Sequence, residues 1–100
     1  MKIKEAIEKK AKIARPVTAI EPVLRIKLCV DGDTWTTEEE KTIYNEIKEG
    51  HSWVASDLVT SWCENNNIDW GIITLGNISH YEHGKKETGH YIIEAYVKTT

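Results

Sequence analysis

The stretch Thr36–Asn67, TTEEEKTIYNEIKEGHSWVASDLVTSWCENNN, reads as two short helices joined by a tight turn at Gly50-His51-Ser52. Thr37 followed three residues later by Glu40 is a capping box, which satisfies the free amides of a helix start from both sides. Ile43 and Ile47 lie four apart with Tyr44 beside them, a narrow apolar stripe on an otherwise charged helix. Gly50 then stands where a left-handed residue ends a helix. The second helix has Ser52 or Ser56 as its cap and Val54, Leu58 and Trp62 at spacing four, with Val59 and Cys63 adjacent. It closes at Asn65-Asn66-Asn67.

On the N-terminal side, residues 2–14 form another helix. Ile3, Ile7 and Ala14, with Ala6, Ala11 and Ile13 nearby, give it one apolar side, and Glu5–Lys9 and Glu8–Lys12 are favourably oriented i,i+4 pairs. Pro16 stops this helix by pushing Arg15 out of helical backbone. The apolar connector Val17–Pro22 is expected to pack. From Val23 to Val30, Leu24, Ile26, Leu28 and Val30 alternate with Arg25 and Lys27, so this is a strand with one buried face. Asp31-Gly32 turns the chain.

On the C-terminal side, Ile68–Ser79 reads two ways. Ile68, Ile72, Leu75 and Ile78 share a helical face. Gly71, Gly76 and the β-branched run Ile72-Ile73-Thr74 speak for a strand, the reading preferred here. Gly84–Gly89 is a polar loop. After it, His90–Lys98 alternates Tyr91, Ile93, Ala95 and Val97 against Ile92, Glu94 and Tyr96, a strand returning as a hairpin. The predicted fold is a small α+β single domain over residues 1–100. A helical hairpin packs on an antiparallel sheet, with a basic helix over 1–15 and the core over 36–98.

One hundred residues, 40% hydrophobic and 29% charged, suit one globular domain. No apolar run approaches the ~18 residues of a membrane span, and the start MKIKEAIEKK has no apolar segment of a secretory leader. A cytoplasmic location, no membrane and two buried free thiols, Cys29 and Cys63, are therefore expected. Trp62 is expected in the core. Trp35, Trp53 and Trp70 lie near element ends, where exposed anchors occur, although core is expected for most of the four.

Charge is unevenly spread. Met1–Lys27 holds eight Lys/Arg against three Asp/Glu, whereas Cys29–Trp70 holds two against ten. Contact with nucleic acid requires cations placed on phosphates. Lys2, Lys4, Lys9, Lys10, Lys12 and Arg15 form one candidate surface, and Lys85 and Lys86 form a second. The acidic face Glu38, Glu39, Glu40, Glu46 and Glu49 suits a basic surface on a protein partner. The plainer reading of the same charges is of solvated helix faces that partly attract one another.

Chemistry is sparse. Counted from Asp31, the sixth and twelfth positions of a calcium loop would be Thr36 and Thr42, so that motif fails. There is no GxGxxG, phosphate loop, GxSxG or HExxH. No enzyme and no cofactor is expected. No metal site is expected: His80, His83 and His90 read first as exposed loop histidines, the alternative being that with Glu82 they meet across two strands around a zinc ion.

The order TTEEEKTIYNEIKEG, VASDLVTSWCENNN, loop GKKETG and strand HYIIEAYV resembles a winged helix–turn–helix over about two thirds of the chain. The resemblance implies a third, groove-reading helix at Ile68–Ser79 and a wing at His83–His90 touching phosphate. EAIEKKAKIARP and the later IDW triplet are similar to small phage counter-defence proteins. The expected function is a non-catalytic regulatory binding module, encoded by a phage or mobile element, contacting DNA or a DNA-bound protein. The alternative is a protein inhibitor acting through the acidic helix face. A His-rich metal site or an unrecognised enzyme comes third.

Overall fold

The computed structural model describes residues 2–16, 23–84 and 88–99. Their order is α1 (Ile3–Ile13), β1 (Leu24–Asp31), α2 (Glu38–Lys48), α3 (Trp53–Asn65), β2 (Trp70–Glu82) and β3 (Gly89–Thr99). The three strands form one antiparallel sheet in the order β1-β3-β2. The helices cover one face of it, which makes this a small α+β domain of winged-helix-like layout.

The termini of α2 and α3 follow the local chemistry of the chain. Thr37 accepts a hydrogen bond from Glu40 N at 3.3 Å, half of the capping box. The other half is diverted: the Glu40 carboxylate takes the Thr36 hydroxyl at 3.0 Å and the Lys10 ammonium instead. Gly50, at φ +94°, ends α2 in a Schellman motif, with His51 N on Glu46 O and Gly50 N on Ile47 O. Asn67 does the same for α3 at φ +57°, with Ile68 N on Cys63 O and Asn67 N on Glu64 O. Ser52 stands at the N-cap of α3 but makes no side-chain cap bond.

The core joins Ile26, Leu28 and Val30 of β1 and Ile93, Ala95 and Val97 of β3 to Ile43, Tyr44 and Ile47 of α2 and Val54, Leu58, Val59 and Trp62 of α3. The alternation expected in β1 and β3 is thus observed. α1 lies across both other helices and packs on each more extensively than they pack on one another. The hairpin is held by its third helix. Ala6, Ile7 and Ala11 of α1 are buried, but so is Lys10, which continues the stripe from Ile3 and Ile7; Ile13 faces solvent. Trp62 Nε1 donates to Ala14 O at 2.8 Å and anchors the exit from α1.

Ile68–Ser79 is not a third helix. Most of it lies in β2, paired with β3 from Trp70↔Thr99 to Glu82↔Gly89. The tract that is ambiguous in isolation is decided by β3, which supplies a full ladder of partners. Gly76 and Asn77 fall in the irregularity between Leu75 and Ile78, where a strand tolerates glycine and a helix does not. Gly76 also lies under the Tyr96 ring, whose Cε2 would stand 3.1 Å from an added Cβ. The third helix of the chain is α3, which precedes this tract. The connector Val17–Pro22 lies outside the described residues.

Of the tryptophans only Trp62 is core; Trp35 is 96% exposed, Trp53 51% and Trp70 37%. The expectation of core for most of them is corrected. Trp35 sits in the turn between β1 and α2, a segment already built around other contacts. In the same turn Gly32 lies against the Tyr44 ring, where an added Cβ would come within 2.5 Å.

Both cysteines are free, Cys63 buried and Cys29 partly so. Burial pushes the Cys63 thiol from its ordinary 9.0 up to about 11, and burial likewise raises Cys29, Tyr44 and Tyr91. Each holds its proton more tightly folded than unfolded. Their stabilising contribution is complete below the unfolded value and is lost as pH rises through the folded one. The denaturation midpoint should therefore be level near neutrality and fall between about pH 9 and about pH 11. A midpoint unchanged over that interval would contradict the burial of these groups.

Candidate binding surfaces and the histidine cluster

The cations of α1 divide into two sets. Lys9 reaches Glu39 at 3.5 Å, and Lys10 is buried against Glu40. Lys2, Lys4, Lys12 and Arg15 are exposed, interleaved with the exposed Glu5 and Glu8. The predicted six-residue surface is therefore four residues wide where it meets solvent freely. Lys85 and Lys86 lie outside the described residues.

The acidic face is divided by the same contacts. Glu39 and Glu40 turn to α1, and Glu46 binds His51 Nδ1 at 2.6 Å. Glu38 and Glu49 are exposed. Basic and acidic helices thus satisfy one another in part, as the plainer reading of the charges anticipated. Glu46, Glu49 and His51 gather at the end of α2 with ligand atoms within 4.8 Å of one another. The group is largely solvated, as exposed acidic groups commonly are.

Beside α1, α3 exposes a stripe with no basic residue. Trp53, Asp57, Thr60, Ser61 and Glu64 face Ile3, Lys4, Ile7 and Glu8 across a groove of about 450 Å³. Its lining joins Ile3, Ile7 and Trp53 to three carboxylate residues and one lysine. Sequence reasoning placed the reading helix elsewhere and missed this groove. The available signal was the spacing of Trp53, Asp57 and Glu64 opposite the apolar face of α3.

The three histidines proposed to meet around zinc do not meet. His80 lies on the helix-facing side of β2, where its Nε2 pairs with the buried Tyr44 hydroxyl at 2.7 Å and its ring contacts Tyr91. His83 and His90 do come together at the base of the β2–β3 hairpin, with ring nitrogens 2.7 Å apart. Their third partner is Asp33, whose Oδ2 lies 2.9 Å from His83 Nδ1. Tyr81 stacks on His90 at 5.2 Å with the rings 18° from parallel. Glu82 pairs in the ladder with Gly89. Asp33 was weighed in the sequence only as a calcium ligand, because fifty residues separate it from His83.

Fold and surfaces define the class: a small α+β domain, winged-helix-like, with an acidic third helix and a divided basic first helix. Comparison with protein-family models, with curated proteins and with solved structures finds no match. Among the described residues no helix is long and apolar enough to cross a membrane.

Proposed function

We propose that this protein is a non-catalytic regulatory module that meets DNA only through its phosphates and presents α3 to a DNA-bound protein. The observation that carries this reading is the exposed stripe of α3. A helix entering the major groove works chiefly through Arg, Lys, Asn or Gln on base edges, with cations on the flanking phosphates. Asp57 and Glu64 on α3 oppose such an approach, whereas Trp53 beside Ile3 and Ile7 is the kind of anchor a protein interface buries. Phosphate contact then falls to Lys2, Lys4, Lys12 and Arg15 and to the loop lysines Lys85 and Lys86. Binding through these groups alone is weak, independent of sequence and reduced by salt.

The test is an amide NMR titration with a generic duplex, first at low and then at physiological salt. Shifts are expected over residues 2–15 and around the wing, fading with salt, with α3 unmoved. Lys4→Glu together with Lys12→Glu should remove the α1 shifts. Shifts centred on Asp57, Thr60 and Glu64 would refute the assignment of α3 to a protein. Silence at low salt would remove DNA from the reading altogether.

A further inference from the structure

We propose that His83 and His90 form a binding site for a first-row divalent metal of the zinc, nickel and copper class, with Asp33 as the residue that orients it. This site owes nothing to DNA or to the groove between α1 and α3.

The geometry is that of a histidine pair ready to chelate. His83 directly follows β2, and His90 is the second residue of β3, so the last ladder pair, Glu82↔Gly89, holds their backbones together. His83 Nε2 and His90 Nδ1 point at one another across 2.7 Å. Two lone pairs cannot face each other at that distance, so one of these nitrogens carries a proton. With both rings neutral, the Asp33 carboxylate decides which. It accepts from His83 Nδ1–H at 2.9 Å, which leaves Nε2 of a neutral His83 as the acceptor and gives the shared proton to His90 Nδ1.

A metal entering between the rings takes both lone pairs, while the His90 proton moves through solvent from Nδ1 to Nε2. No net proton is released in that exchange. A carboxylate on the far nitrogen of a ligating imidazole fixes its tautomer and raises its basicity. On the other side, Tyr81 holds the His90 ring by stacking. Both ring planes are therefore held in place before a metal arrives, and only the His90 tautomer changes on binding.

The donor chemistry selects the class of ion. Imidazole nitrogen suits zinc, nickel and copper, whereas calcium and magnesium require oxygen cages. Both histidines are only partly buried, so solvent reaches the gap and completes the coordination. The bound ion would brace the β2–β3 hairpin at its root and, through Asp33, tie it to the turn between β1 and α2.

Zinc chloride titrated into the untagged chain tests this, by calorimetry and by the ¹⁵N resonances of the imidazole rings. Saturating uptake of one zinc per chain is expected, moving the ring nitrogens of His83 and His90 and leaving those of His80 in place. Asp33→Asn should weaken uptake about 10- to 100-fold, the range for loss of an orienting partner. His90→Gln should weaken it further. His51→Gln, which breaks the exposed Glu46, Glu49 and His51 group, should leave it unchanged. Absence of uptake at millimolar zinc would overturn the proposal. So would uptake that moves His51 while His83 and His90 stay still, a result readable on the unmodified chain whatever the variants do to folding.

Discussion

Glu40→Ala is expected to lower stability by about 3–5 kcal/mol, the range for breaking a buried ion pair by removing one partner. The Lys10 side chain is 8% exposed and that of Glu40 15%, so neither charge can recover its hydration where it stands. Removing the carboxylate leaves an ammonium enclosed between α1 and α2 beside Ala6, Ile7 and Ala11. It also takes the acceptor from the Thr36 hydroxyl. Against a total stability of roughly 5–15 kcal/mol for a domain of this kind, such a loss brings the chain close to unfolding. Replacing both partners with apolar residues, Lys10→Met with Glu40→Leu, should restore most of the loss, because no charge is then left to solvate. Denaturant titration of the three proteins decides the matter. A double variant as unstable as Glu40→Ala would show that the pair contributes through something other than mutual neutralisation.

The second large effect is expected at the base of the β2–β3 hairpin. A Cβ on Gly89 would stand 2.0 Å from the Tyr81 carbonyl oxygen and 2.9 Å from its carbon. These are backbone atoms held in the ladder, with no rotamer through which to withdraw. Gly89→Ala must therefore part β2 from β3 where His83 and His90 meet, and it disturbs the 2.8 Å bond from Gly32 N to Gly89 O. Its cost is expected at about 1–3 kcal/mol or above, as for overpacking in a closed site. Gly76→Ala is the control. Its near neighbours are the Tyr96 ring at 3.1 Å, 39% exposed and bonded to the Glu94 carboxylate, and Glu94 itself at 3.4 Å, none as close as the Tyr81 carbonyl is to Gly89, so its cost should be clearly smaller. Equal midpoints for the two alanine variants would refute this steric account.

These two positions also bear on function. The Lys10–Glu40 pair removes a cation from any phosphate surface and a carboxylate from any acidic docking face, and it does so to seat α1 on α2. What reaches solvent freely on α1 is Lys2, Lys4, Lys12 and Arg15. These are the cations on which the salt-dependent contact proposed above would rest. The base of the β2–β3 hairpin, by contrast, is constrained from three directions: Gly89 in the ladder, Tyr81 on His90, and Asp33 on His83.

What the chain determined by itself is local. The Thr37 cap, the turn at Gly50, the stripe Ile43–Tyr44–Ile47 and the alternation of β1 and β3 each depend on neighbours within a few residues. Steric and hydrogen-bonding rules act at that range, and the structure bears these elements out. Lys10 was read among the exposed cations; position 10 does continue the stripe from Ile3 and Ile7, but its burial was decided by Glu40 lying opposite on α2. Tertiary structure alone decided the rest. Trp70–Glu82 became a strand because β3 lies beside it, a fact absent from a tract whose helical and strand patterns nearly balance. Asp33 met His83 because the β1–α2 turn and the base of the β2–β3 hairpin share one end of the sheet, and His80 left its two neighbours in sequence because strand alternation turned it toward Tyr44. Such meetings depend on which segments the packed core brings together, and local spacing carries no record of that.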